Sequence, residues 1–339
     1  MANRFIEGFD YLVTADLPKR FGIVVASTAI SAGNGRNGTA SLRATNTQQG
    51  VSVTFDLQAT WIVGMSFKIS ALPSNDEAIV GFDDASGARH VTFGITPTGA
   101  LVAKRGSISG TTLGTGSTPL VAGTTYYLEF KVTISDTVGV AITKINGSTD
   151  INLSSQDTKN AGTSASASMV TLLTGSNEAK TVDIDDLYIN DGSGGVDDDF
   201  WGDGRVIAKT VDGAGNSAQF TPSAGSNWQN VDDAAPNGDT DYNESSTVNH
   251  IDSMTTAAIG VTGTVKGVGV SVYARKTDAG VGTLAPLWRI SGTDYAGTGV
   301  PLSTDYLYVT QLYRVSPATA AAWTVSELDG AELGYKRTA

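Results

Sequence analysis

Apolar and polar residues alternate with a period of two along most of this chain. The runs VSVTFDL (51–57), WIVGMSFKI (61–69), EAIVGFDD (77–84), RHVTFGIT (89–96), ALVAKRG (100–106), YYLEFKVTI (126–134), VGVAITKI (138–145) and TVDIDDLYI (181–189) show it in the first half. Successive side chains of a strand point to opposite faces, so each run predicts a strand with one buried face. PSND, DASG, PTG and SDT separate the runs, and Asn146-Gly147 predicts a tight hairpin turn. The second half predicts strands at RVIAKTV (205–211), SAQFTPS (217–223), HIDSMTTA (250–257), TVKGVGVSVYARKT (264–277), LAPLWRIS (284–291), DYLYVTQLYRV (305–315) and ELGYKRT (332–338). No stretch sustains a helical period. Many short strands at this spacing predict an all-β sandwich or barrel.

Between the two series lies DGSGGVDDDFWGDG (191–204), a Gly- and Asp-rich stretch that predicts a linker ending on an aromatic anchor, Phe200-Trp201. It lacks the D-x-D-x-D-G spacing and distal Glu of a calcium loop. One segment imitates a secretion signal: Lys19 and Arg20 precede FGIVVASTAISA. Glu7, Asp10 and Asp16 come before it, where a signal carries its basic segment, so FGIVVA (21–26) predicts a buried strand instead. No apolar run approaches the roughly 18 residues of a membrane helix, which argues against membrane insertion.

Composition narrows the chemistry. Hydrophobic residues make up 40% of the 339 and charged residues 17%, enough to build a real core. A net charge of −12 opposes a nucleic-acid partner. Cysteine is absent, which removes disulfides, thiolate nucleophiles and Cys-based zinc sites together. The two histidines, His90 and His250, stand in different halves and offer little to a catalytic triad.

Two features invite a carbohydrate reading. ELDGAE (327–332) has the form E-x-D-x-x-E, the catalytic signature of a large group of jelly-roll glycan hydrolases, in which two carboxylates flank the scissile bond. Here Gly330 and Ala331 interrupt the strand pattern, and seven residues remain after Glu332. Those facts argue against a catalytic strand and for a protein that is not an enzyme. Among the tryptophans, Trp61 and Trp288 sit in alternating apolar runs and predict core positions. Trp228, in the polar loop AGSNWQNVDD, is the candidate for an aromatic platform under a sugar, or for an anchor that folds the loop onto the sheet.

The order of EGFD (7–10), W-x-x-G-x-x-F-K-I, YYLEFKV, G-V-A-I-T-K-I-N-G and VDIDDLYI over residues 1–190 resembles the concanavalin A-like (laminin G-like) jelly rolls of tailed-bacteriophage virion proteins. The resemblance implies that the first and last strands lie side by side, with a calcium ion near their seam. Glu7, Asp183, Asp185 and Asp186 are then the candidate ligands, since calcium takes several oxygen donors. Alternation puts Asp183 and Asp185 on one face and Asp186 on the other. The other reading of these acids is a solvated edge whose charge discourages edge-to-edge pairing.

Residues 197–339 resemble a recurrent phage structural module. Its marks are GDGRV, TPSAGSN, VDDAAPNGDTDY, VGVSVYARKTDAG, SGTDY and PATAAAWT. This resemblance implies a turn or short helix at the ELDGAE acids. Together the two resemblances imply an all-β protein of two jelly-roll-like antiparallel β-sandwich domains, 1–190 and 205–339, joined by the linker 191–204. They imply a non-enzymatic structural component of a tailed-phage virion, tail- or fibre-associated or capsid-decorating, assembled in the host cytoplasm. Its role would be assembly and display. Its partners would be other virion proteins, further copies of itself (a trimer by analogy with phage fibres) and a host-surface glycan, with no cofactor required. The alternative readings are a calcium-dependent glycan-binding module and a glycosidase using Glu327 and Glu332.

Overall fold

The computed structural model describes residues 3–25, 27–45, 50–160, 162, 164–172 and 180–339. The chain divides into two compact units, Met1–Val206 and Ile207–Ala339. Both are antiparallel β-sandwiches of the jelly-roll kind, so the expected all-β class holds.

The first unit stacks two sheets. One runs Ser148–Gln156, Gly139–Ile145, Thr125–Thr133, Thr60–Ile69, Thr181–Asp191, Ser41–Thr45, Thr28–Ser31, with Asn3–Glu7 also pairing with Thr181–Asp191. The other runs Thr111–Thr115, Leu101–Arg105, Arg89–Ile95, Glu77–Asp83, Ala167–Leu172, Val51–Gln58, Ile23–Val24. The pairing of Glu7 with Leu187 brings the first strand beside the last one of this unit. Alternation supplies the core between the sheets. Trp61, Phe93 and Phe130 are fully buried, Phe93 packs on Phe130 across the sandwich at 5.3 Å, and Trp61 Nε1 donates to Ala167 O.

Two expectations need correction here. FGIVVA does not form a buried strand: only Ile23–Val24 pair, at a sheet edge, and Ile23 is 51% exposed. Phe21 alone goes inside, against Phe5 and Phe9, because the short helix Leu17–Arg20 ends just before it; Ala26 lies outside the described residues. The stretch 191–204 belongs to the first unit, where Phe200 and Trp201 pack on Ile62, Tyr127 and Tyr188. The aromatic anchor thus straps this segment along the outer face of a sheet.

The second unit is built on a sheet ordered Val211–Ala218, Ile251–Thr256, Glu332–Arg337, Thr283–Ile290, Thr293–Ala296, with Val300–Pro301 also pairing with Thr283–Ile290. The ribbon Val268–Ala274 with Leu307–Tyr313 covers it: Val270 packs with Trp288, Ile290, Trp323 and Leu328. Trp61 and Trp288 are core residues, as their alternating surroundings imply. RVIAKTV is irregular up to Val211, where the strand begins.

Candidate functional site

In the second unit, Trp228 stands on a single 3₁₀ turn, Asn227–Asn230, beside the edge strand Val211–Ala218. The turn is set by S-N-W-Q: Ser226 N donates to Gln229 Oε1 at 3.1 Å, a reciprocal cap at the helix start. It is tied down from below. Asn227 Nδ2 donates to Phe220 O at 2.8 Å and to Asp252 Oδ2 at 2.7 Å, and Asn243 Nδ2 donates to Asn227 O at 2.8 Å. Asp252, fully buried, also accepts from the backbone N–H of Gln219 and Phe220 and from Tyr335 Oη. Four donors offset the cost of taking that carboxylate out of water.

Trp228 is half-buried. It packs against the cluster of Val211, Phe220, Met254, Leu284 and Tyr335. It also walls a cleft of about 350 Å³, which Asn227, Ser226, Ser217, Ser253 and Gly215 complete. The two readings of this residue therefore meet in one geometry: it anchors its loop and still borders open space. At Gly215 only hydrogen fits, because a Cβ would come within 2.4 Å of Glu332 Oε2 and Ser253 O. Glu332 lies directly behind the cleft and accepts from Ser253 Oγ at 2.6 Å, Asn216 N at 2.8 Å and Asn216 Nδ2. Burial pushes its pKa up, but these bonds and the nearby Arg289 charge outweigh that and hold it below the ordinary value.

The ELDGAE acids are dispersed. Glu327 and Asp329 lie on the helix Val325–Asp329, whose first turn is capped by Thr324, and Glu332 lies on the following strand. Glu327 accepts from Ser316 Oγ, Asp329 from Ile259 N, and Glu332 from Ser253 and Asn216. Each acid serves a different structural bond, two on the helix and one on the strand.

The four acids expected at the seam of the first unit are likewise separately engaged. Glu7 accepts from Phe9 N, Tyr11 Oη and Arg20 Nε. Asp183 is held by both arms of the Arg43 guanidinium and by Ser41 Oγ. Asp185 accepts from Arg36 N, Thr39 Oγ1 and Asp186 N. Asp186, at φ 50° in a bulge of Thr181–Asp191, accepts from Val206 N, with Arg36 Nη1 at 3.5 Å. Among the described residues no group of three or more His, Asp or Glu side chains is arranged to hold a metal ion. With Glu7 and Asp183 each neutralised by an arginine, the four do not fit a shared calcium site. They are no solvated edge either: all four are at least 94% buried.

Desolvation governs this region. Burial, then the adjacent Asp185 charge, raises Asp186 to about 7 against the opposing Val206 N–H and Arg36. Burial also raises Asp185 and Asp10. Beside them the strap is fastened by Glu129 Oε1, which accepts from Gly202 N and Tyr188 Oη, while Trp201 N donates to Tyr188 Oη. Sequence reasoning missed Glu129, although the alternation of YYLEFKV places Tyr127, Glu129 and Lys131 opposite the core residues Leu128 and Phe130. The histidines stay apart from both regions. His90 is fully buried and burial lowers its pKa, and His250 Nδ1 bonds Ser245 Oγ.

No family model and no curated protein matches the chain. Distant likenesses exist among solved structures. A Trypanosoma rangeli sialidase is 11% identical at TM-score 0.34, over 48% of this chain and 27% of the sialidase. The catalytic domain of a glycoside hydrolase family 131 protein from Coprinopsis cinerea is 12% identical at TM-score 0.35, over 57% and 95%. The binding domain of Paraclostridial Mosquitocidal Protein 1 is 13% identical at TM-score 0.36, over 50% and 43%. The chain thus spans about a quarter of the length of the sialidase it matches. At these scores the likenesses carry no weight for activity or ligand; the sandwich architecture rests on the strand pairing itself.

Proposed function

We propose that this chain is a non-enzymatic recognition and display protein whose second unit binds a carbohydrate in the Trp228 cleft. The observation that carries the reading is that Trp228 both packs on the core cluster and lines a cleft shared with Ser and Asn side chains and small Gly and Ala positions. Sugar rings present an apolar C–H face to an aromatic plane and hydroxyls to such groups. The loop is preorganised by the Asn227–Asp252 and Asn243 bonds, which lowers the ordering cost of binding. The dispersal of Glu327, Asp329 and Glu332 favours binding without hydrolysis.

The order of phage-module motifs over residues 197–339 favours a setting for this activity: a structural component of a tailed-phage virion, docked to other virion proteins and repeated as a homo-oligomer, with a trimer as the first expectation. Binding to a printed glycan array tests the recognition role. Wild type is expected to bind, and Trp228→Ala to weaken binding about tenfold or more when assayed well below its Tm, which loss of the indole from the core cluster also lowers. Failure of wild type to bind any glycan, or unchanged binding by the variant, overturns it. Mass spectrometry of purified particles tests the virion setting, and absence of the chain from them rules it out.

A further inference from the structure

We infer that the Trp228 cleft selects uncharged glycans and rejects those carrying sialic or uronic acid. The inference rests on the proposed function and deepens it. The lining residues of the cleft, Trp228, Asn227, Ser226, Ser217 and Ser253 with small Gly and Ala positions, include no charged side chain. A carboxylated sugar is ordinarily held by a guanidinium, an ammonium or a set of converging N–H groups. Here the strongest donors are already spent on the protein's own carboxylates.

Both N–H bonds of the Asn227 amide point inward, to Phe220 O and Asp252 Oδ2, so its oxygen is the atom left to meet a ligand. Two acceptors on one side fix that orientation. The Ser253 hydroxyl gives its proton to Glu332 Oε2. Asn216 gives both its backbone N–H and its side-chain amide to the same carboxylate. The lining thus holds no cationic donor: the Asn227 oxygen accepts, Ser253 Oγ is engaged by Glu332 and by Ser217 N, and the Ser217 and Ser226 hydroxyls can donate or accept, a set that suits the hydroxyls of a neutral sugar.

Charge reinforces the pattern. Glu332 sits close enough behind Gly215 that a Cβ there would lie 2.4 Å from Oε2, and Asp252 lies one hydrogen bond behind Asn227. A ligand carboxylate entering the cleft would meet Glu332 and Asp252 across a single layer of side chains, with the Arg289 charge near Glu332 offsetting part of the repulsion. Like charges at that range repel, and part of the repulsion is screened by salt.

The test uses the full chain on a printed array of neutral oligosaccharides and the same cores capped with sialic or uronic acid, at about 20 mM and about 500 mM salt. The expected result is binding to neutral cores, with the acidic counterparts about tenfold or more weaker at low salt and closer at high salt. Glu332→Gln should narrow the gap several-fold. The salt series on wild type stands by itself should that variant fold poorly. Equal or tighter binding of the acidic counterparts, or a gap that does not shrink with salt, overturns the inference while leaving carbohydrate recognition intact. Absence of binding to every glycan overturns both.

Discussion

Asp186 in the first unit and Glu332 in the second are both carboxylates drawn into a sheet, and their surroundings push them in opposite directions. Asp186 has one backbone N–H, a guanidinium at 3.5 Å and a second carboxylate next to it, and desolvation wins. Glu332 has three uncharged donors at hydrogen-bond range and holds its charge more readily than in water. Burial alone does not decide the state of an acid; the count and placement of donors around it does. The first arrangement holds the backbone at Val206, just past the strap, while the second backs a cleft.

The largest expected effect is a divergence of the two units with pH. Asp186 binds a proton more tightly folded than unfolded, so its contribution to stability is fully present below its unfolded pKa of about 4 and is lost as pH rises through about 7. A shift of that size corresponds to an upper bound of about 4 kcal/mol. Asp185 and Asp10 act in the same sense. Glu332 runs the other way: its contribution is present above about 4.5 and is lost as pH falls through its lowered folded value. Calorimetry should therefore show the first unit's transition rising as pH falls from about 8 to about 4, and the second unit's falling only below about pH 4.5. Asp186→Asn should flatten the first profile. Parallel profiles would mean that the contrast between the two acids is wrong.

A smaller effect sharpens the second half of the comparison. Gly215→Ala should destabilise the second unit by about 2 kcal/mol, because the added methyl group meets Glu332 and Ser253 O. Urea unfolding should show it in the second unit's transition only. Smaller still, Glu327→Gln should cost about 1 kcal/mol or less, because the amide still offers an oxygen to Ser316. No hydrolysis of a β-glucan should be seen before or after that change. Cleavage by wild type that this substitution abolishes would restore the glycosidase reading.

The smallest expected effect is none. Addition of EDTA should leave both transitions unmoved, since Arg20 and Arg43 already neutralise Glu7 and Asp183. A fall in Tm reversed by calcium would show that the acids of the first unit take a metal after all.

By itself, the sequence determined the architecture. Period-two alternation with Gly, Asn and Asp between runs leaves little but short antiparallel strands, and it placed Trp61 and Trp288 inside because side-chain direction in a strand is a local property. It also marked Trp228, through a polar loop that no strand pattern could absorb, and Gly330-Ala331 as a break before the last strand. Only the tertiary structure decided what the acids do. The resemblance to concanavalin A-like jelly rolls put Glu7, Asp183, Asp185 and Asp186 in one set, yet their partners Arg20, Arg43, Arg36 and Val206 come from other elements, and a bulge at Asp186 breaks the alternation on which the face assignment rested. The strap over Glu129 and the carboxylates behind the cleft were hidden for the same reason. The charge state of a buried group depends on donors brought to it from far along the chain, and nothing in its own neighbourhood of sequence records them.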